Sequence, residues 1–157
     1  MKFASKEDIE APIDAVFSAV SNFNTIERSA LRRGASVQRV DRKTHPSTTI
    51  AWDVGFLFRG KKRDMLVELT DIEAPNHMLV QSLSGGMEGQ VSVELVALSK
   101  NRTRMAIAIK LKPKSLSARV MVQSLRLAKT KLTKRFCIKT AGFATDIEER
   151  YKGGRLA

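Results

Sequence analysis

The segment from Ser115 to Tyr151 leaves this chain the fewest choices. Ala118, Met121, Val122, Leu125, Ala128, Leu132, Phe136, Phe143 and Ile147 recur through it at steps of three and four, the spacing that places side chains on one stripe of an α-helix. Pro113-Lys114-Ser115 supplies an entry, with Ser115 as N-cap, and Gly153-Gly154 supplies the exit. At about 1.5 Å of rise per residue, an unbroken helix here is roughly 55 Å long. That length demands a bend, and Gly142 is the weakest position for it. A helix with a single apolar stripe needs an apolar surface to cover, and the residues ahead of it must provide one.

They read mostly as strands. Phe3 to Ile9 forms a first strand, with Phe3, Ser5, Glu7 and Ile9 on one face. Pro12 and Asp14 suit the first turn of a short helix whose inward side is Ile13, Val16, Phe17 and Val20. A second short helix, from about Asn24 to Arg33, stops at Gly34. From Ala35 the period changes to two. Ser36 to Val40 is a modest strand, and Ile50, Trp52, Val54, Phe56 and Phe58 then alternate with less apolar residues in the clearest strand of the chain. Met65, Val67 and Leu69, then Met78 to Val80, then Val91, Val93, Leu95 and Ala97, then Met105, Ile107, Ile109 and Leu111 continue the pattern, separated by Gly60-Lys61, Ala74-Pro75-Asn76, Gly85-Gly86 and Ser99 to Arg102. The order is a strand, two short helices, about six antiparallel strands and a long terminal helix. This is an α+β plan over residues 1–157 as one domain.

Size and composition agree with it. A chain of 157 residues that is 43% hydrophobic can bury a core as a single domain. No apolar run is long enough to span a membrane and the first residues carry no apolar signal core, so the expected compartment is the cytoplasm. One cysteine, Cys137, rules out an internal disulfide and reads as a small apolar group of the long helix. Charge is distributed unevenly: residues 1–99 hold 12 Lys/Arg against 13 Asp/Glu, and residues 100–157 hold 16 against 3. The net charge of +12 is therefore a property of the C-terminal part, and it suits either a solvated helix face or an anionic partner.

Groups able to do chemistry are sparse. His45 and His77 fall in turns, no serine-histidine-acid arrangement is legible, and no spacing of His, Asp or Glu suggests a metal site or implies a cofactor. Ser84 to Gly89 lies between strands and lacks the Lys-Ser/Thr of a phosphate loop, so it reads as a hairpin turn. Glu7 and Asp53 are the acidic residues worth placing. Glu7, which shares a face with Phe3 and Ile9, is the candidate general acid if burial disfavours its charged form.

The opening Asp8-Ile9-Glu10-Ala11-Pro12-Ile13-Asp14-Ala15-Val16-Phe17, the strand containing Trp52 and the terminal helix after Pro113 together resemble the START-related SRPBCC superfamily, whose members include polyketide cyclases, pollen-allergen-type proteins, lipid-transfer domains and carbon-monoxide-dehydrogenase-subunit-G-like proteins. The resemblance covers nearly the whole chain. It implies a helix-grip fold, a curved antiparallel sheet of about six or seven strands wrapped around the C-terminal helix, with a cavity between them for an apolar or amphipathic small molecule. A curved sheet cannot press a straight helix along its whole concave face, which gives such a cavity a physical reason. Its expected walls are Trp52, Val54, Phe56, Met65, Val67, Val93, Leu95, Met105, Ile107 and Ile109 from the sheet, with Leu125, Leu132 and Phe136 from the helix.

Three readings follow. In the first, the cavity serves a carrier or sensor of a lipid-like or polyketide-like molecule; in the second, a cyclase or dehydratase uses the same cavity with Glu7. The third takes the basic helix as a peripheral membrane or assembly module. Arg119, Arg126, Lys131 and Lys134 would meet an anionic surface while Leu116, Val120 and Leu127, on the same outer arc, enter it. A second copy of the chain, as a homodimer, is the other occupant such leucines suit. Aromatic residues are only 6% of the chain and occupy core-facing positions, which argues against a nucleic-acid platform.

Overall fold

The computed structural model of the protein describes residues 1–155. Seven strands, β1 (Lys2–Ile9), β2 (Ser36–Val40), β3 (Ile50–Phe58), β4 (Lys61–Glu73), β5 (His77–Ser84), β6 (Met87–Ser99) and β7 (Arg102–Pro113), form one antiparallel sheet in the order β1-β7-β6-β5-β4-β3-β2. Two short helices, α1 (Ile13–Val20) and α2 (Phe23–Arg32), connect β1 to β2 at the opposite edge. α2 begins where the Asn22 side chain accepts the amide of Thr25 at 3.2 Å. The hairpin turns hold positive φ, as the tightest ones require: Gly85 and Gly86, which adopt it freely, join β5 to β6, and Gly60 joins β3 to β4 together with Arg59, a residue with a side chain held in the same region.

Register sorts the two faces. Cross-strand neighbours Trp52 and Val67, Leu69 and Val80, Met78 and Val93, Leu95 and Met105, and Ile109 and Phe3 stand on the concave side. The period-two pattern of the later strands therefore predicts their inner face correctly, and for β1, where alternation alone leaves the register open, the burial of Phe3 and Ile9 shows which face turns inward. Ile9, Val16, Leu69, Leu95, Met105 and Ile147 are exposed by 2% or less. Each such side chain contributes about 1.5–3 kcal/mol by leaving water.

The terminal segment is two helices, α3 (Leu116–Leu127) and α4 (Lys129–Lys152). This corrects the expected position of the bend. Gly142 stays helical, while Ala128 leaves the helical region with φ −105° and ψ 14°. Its amide bonds to Leu125 in a tightened last turn at 3.1 Å, and its carbonyl accepts Leu132 to start α4. Ala128 is thereby exposed, although it belongs to the apolar stripe. The reason lies in packing: α4 lies along β1 and also meets α1, whereas α3 touches the sheet chiefly at β7. One straight rod cannot follow both paths. Both outer ends form as the sequence implies, with Ser115 Oγ accepting the Ala118 amide at 3.1 Å and Gly154 at φ 72° beyond the last turn.

Candidate functional site

Between α3 and the concave face lies a cavity of about 550 Å³. β3 and β4 contribute Phe56, Phe58 and Met65, the β5–β6 hairpin contributes Ser82, Ser84, Gly85, Met87 and Gly89, β7 contributes Leu111, and α3 contributes Ser117, Ala118, Val120, Met121, Ser124 and Leu125. Arg59, Lys61 and Arg63 complete the lining. Its floor is where large side chains give out. Along β5 the inward positions run Met78, Val80, Ser82, Ser84, and Ser82 faces Gly89 across the strand pair. A Cβ on Gly89 would collide with Ser82 Oγ, so the hydroxyl lies over the glycine and little rises from the floor. Gly86 is close enough to α3 that a Cβ there would meet Ser115, and its carbonyl accepts the Lys114 amide at 2.7 Å. The hairpin thus fixes the start of the helix that roofs the cavity.

The expected walls divide into two groups. Phe56, Met65 and Leu125 line this cavity. Trp52, Val93, Leu95 and Met105 lie in the solid core, with Val54, Val67 and Ile107 packed against it. Ile109, Leu132 and Phe136 are half-buried and belong to neither group, and Phe136 stacks edge-on against Phe3 with centroids 6.4 Å apart. Sequence reasoning missed the serines and Gly89, and also Met87, Met121 and the three cations. A signal existed. Ser82 and Ser84 extend the inward alternation of Met78 and Val80, which marks a buried face that becomes small and polar.

The acidic and histidine candidates stand elsewhere. Glu7 is on the concave face opposite Met105, half-buried and outside the cavity lining. Asp53 faces the convex side and is paired with Arg42. His77 bridges Asp71 at 3.1 Å and Glu94 at 2.5 Å. The most perturbed carboxylate is Glu68, 2% exposed on the convex face of β4. Burial alone would push its carboxyl up. Hydrogen bonds from the Thr48 hydroxyl, the Thr44 hydroxyl and amide, and His45 outweigh that and hold it at about 2. The oxygens accept Thr44 N at 2.8 Å, Thr44 Oγ1 at 2.7 Å, His45 N at 3.2 Å and Thr48 Oγ1 at 2.5 Å. So fully engaged a carboxylate is an anchor for the β2–β3 loop, and the alternation of β4 by itself marks Glu68 only as outward-facing. Among the described residues no His, Cys, Asp and Glu group is arranged to hold a metal ion.

A second hollow of about 630 Å³ lies on the convex side, lined in part by Lys2, Gln81, Glu88, Gln90, Lys110 and Lys112. Its charged walls are exposed, and Glu88 stands opposite Lys112 in the strand register. Its three lysines outnumber Glu88, and no residue of the terminal helices enters its lining.

On the outer side of the terminal helices, Leu116, Val120 and Leu127 are 78%, 60% and 92% exposed. Arg119, Arg126, Lys131 and Lys134 are exposed around them. No helix among the described residues is long and apolar enough to cross a membrane.

No protein-family model matches the chain, and no curated protein matches it in sequence. Solved structures match it over its length. TTHA0849 from Thermus thermophilus superposes with a TM-score of 0.64 at 14% identity, covering 98% of this chain and 99% of that one. The Zhui aromatase/cyclase from a Streptomyces species gives 0.61 at 9% identity over 96% and 95% of the two chains. Norcoclaurine synthase from Thalictrum, a point mutant in complex with a transition-state analogue, gives 0.61 at 11% identity over 96% of each. With a seven-stranded curved sheet, two short helices after β1 and a long helical C-terminal segment in the grip of that sheet, the chain has the helix-grip fold that these structures share.

Proposed function

We infer that this protein binds an apolar or amphipathic small molecule in the cavity between α3 and the sheet, as a carrier or sensor. The observation that carries the reading is the cavity itself. About 550 Å³ walled by Phe56, Phe58, Leu111, Leu125 and three methionines falls within the range of small-molecule sites. Methionine adapts its shape to irregular ligands. The shared fold with an aromatase/cyclase and with a synthase holding a transition-state analogue supports the use of this fold for small molecules. A carrier is favoured over an enzyme because the lining contains no carboxylate and no histidine, the groups that proton transfer most often needs. Native mass spectrometry before and after solvent extraction tests the reading. A copurifying compound, or saturable uptake of dodecanol by the stripped protein that Ser82→Leu blocks, is expected; neither appearing would end it.

One observation favours a second activity of the same molecule. Leu116, Val120 and Leu127 are exposed on a cationic helix face, the arrangement an anionic bilayer surface accepts. Val120 also lines the cavity, so docking there brings the mouth to the lipid. Sedimentation with phosphatidylserine vesicles, weakened by salt and absent with phosphatidylcholine, is the expected result. Equal behaviour toward both lipids would rule the docking out.

A further inference from the structure

The β3–β4 hairpin places charge where the strand pattern calls for apolar side chains. Lys61 and Arg63 occupy the inward positions of β4, in line with Met65, Val67 and Leu69, and stand opposite Phe58 and Phe56 on β3. β5 pairs with β4 only from Leu66 onward, so Lys61 and Arg63 sit on the part of the β3–β4 hairpin that projects past β5, in the lining of the cavity. Arg59 joins them from the turn. It holds φ 53°, a backbone conformation that residues with side chains rarely adopt, and its Nη2 donates to Ser124 Oγ on α3 at 2.8 Å. The hairpin tip is thereby tied to the helix across the cavity mouth.

Three like charges converge with nothing to balance them. The guanidinium carbons of Arg59 and Arg63 lie 5.2 and 5.5 Å from the centre of the same Phe58 ring, and Lys61 stands opposite that ring in the register. Among the described residues none of the three forms a salt bridge, although Arg39, Arg42, Arg102, Arg104 and Arg150 do. The neighbouring acid on the strand, Asp64, alternates to the convex face, opposite Gly55. Ser117 and Ser124 add hydroxyls to the same lining, whereas Ser84 Oγ donates to the Asp64 carbonyl at 2.6 Å.

We propose that the ligand of this cavity is an amphiphile with an anionic oxygen head group, a carboxylate or a phosphate, held at the mouth by Arg59, Lys61 and Arg63 while its apolar body lies against Phe56, Met65 and Met121. The inference rests on the reading of the cavity as a ligand site and adds the charge class of what enters it. A planar guanidinium grips such oxygens in pairs. The Phe58 ring keeps the guanidinium groups of Arg59 and Arg63 in place, and because Arg59 and Lys61 are exposed the attraction is open to screening by salt. Releasing the ligand would leave the cations to repel one another around the ring, so binding stabilises the mouth as well as the ligand.

Calorimetric titration of the intact chain with dodecanoate, dodecyl phosphate and dodecanol, each below its micelle-forming concentration, tests this. One or both anions should bind at least about tenfold more tightly than dodecanol, about 1.4 kcal/mol, and the preference should shrink as salt rises. Whichever anion binds more tightly identifies the head group. In the triple variant Arg59→Gln, Lys61→Gln, Arg63→Gln the preference should vanish while dodecanol still binds, which shows that the cavity persists. Equal affinities for all three compounds in the unaltered protein would overturn the proposal and leave the cavity reading standing. An anion preference unchanged in the triple variant would also overturn it, by placing the anion elsewhere. Uptake of none of the three would overturn both.

Discussion

The two ends of the concave face are built from the same sheet and differ in what fills them. At one end, Ile9, Val16, Leu95, Met105 and Ile147 meet with no more than 2% of any of them exposed, α4 lies along β1, and α1 closes over β6 and β7. At the other end, α3 reaches the sheet mainly at β7, the inward positions have become Ser82, Ser84 and Gly89, and about 550 Å³ is left open. A helix settles where large side chains from both surfaces interlock and stands off where they do not. The break at Ala128 lets one segment do both. Close packing is thus concentrated in one half of the molecule and the open cavity in the other, so each can be altered with limited effect on its neighbour.

Substitution in the sealed end should produce the largest effects. Met105→Ala removes a side chain with no exposed surface, and urea unfolding should show a loss of about 2–5 kcal/mol. Met65→Ala or Met121→Ala, on the cavity wall, should cost less than half as much. A similar loss at both ends would break the comparison.

Next comes the convex anchor. Glu68 has its carboxyl held at about 2 against an ordinary 4.5, a difference that corresponds to about 3 kcal/mol of folding stability. Because the folded-state value is the lower one, that contribution is complete above pH 4.5 and fades as pH falls from there toward 2. Glu68→Gln should therefore be less stable than the unaltered protein at neutral pH by about that amount, with the gap narrowing through this acid window in pH-dependent urea unfolding. A gap that stays constant with pH would mean the carboxylate is not the source.

Filling the hollow end should change stability little and binding strongly. Ser82→Leu has empty volume to enter, so its stability is expected to stay within about 1 kcal/mol, while a copurifying compound or bound dodecanol is lost. Retained binding would move the ligand out of this cavity.

The smallest effect on folding belongs to the outer face. Leu116→Ser with Leu127→Ser should shift stability by less than about 0.5 kcal/mol, since both are exposed, yet reduce sedimentation with phosphatidylserine vesicles severalfold. Sedimentation unchanged by this pair would assign those leucines no part in membrane contact.

Much of the architecture is legible in the chain because periodicity is a local property. Ile50 to Phe58 alternates strictly, Met105 to Leu111 does the same, and Ser115 and Gly153-Gly154 bound the helical segment as their chemistry predicts. The site was far less legible. Trp52, Leu95 and Met105 carry the same inward signature as Phe56 and Met65, and nothing in the residues themselves says which group will be met by a helix and which will be left facing a gap. The cations at Lys61 and Arg63 fall on the inward phase of β4, but a short charged run beside Gly60 reads as a turn until register shows which way it faces.

Local chemistry, then, determined the strand phases, the caps and turns, and the gathering of positive charge in the C-terminal part, since each depends on residues near one another in sequence. Only the tertiary structure decided where the terminal helix breaks, which apolar residues became solid core, that Glu68 is buried under a loop, and that three cations share a cavity mouth with α3. Those outcomes depend on how far apart two surfaces come to rest. That distance is set by the summed volumes of side chains from many strands and helices at once, a quantity no single stretch of sequence contains.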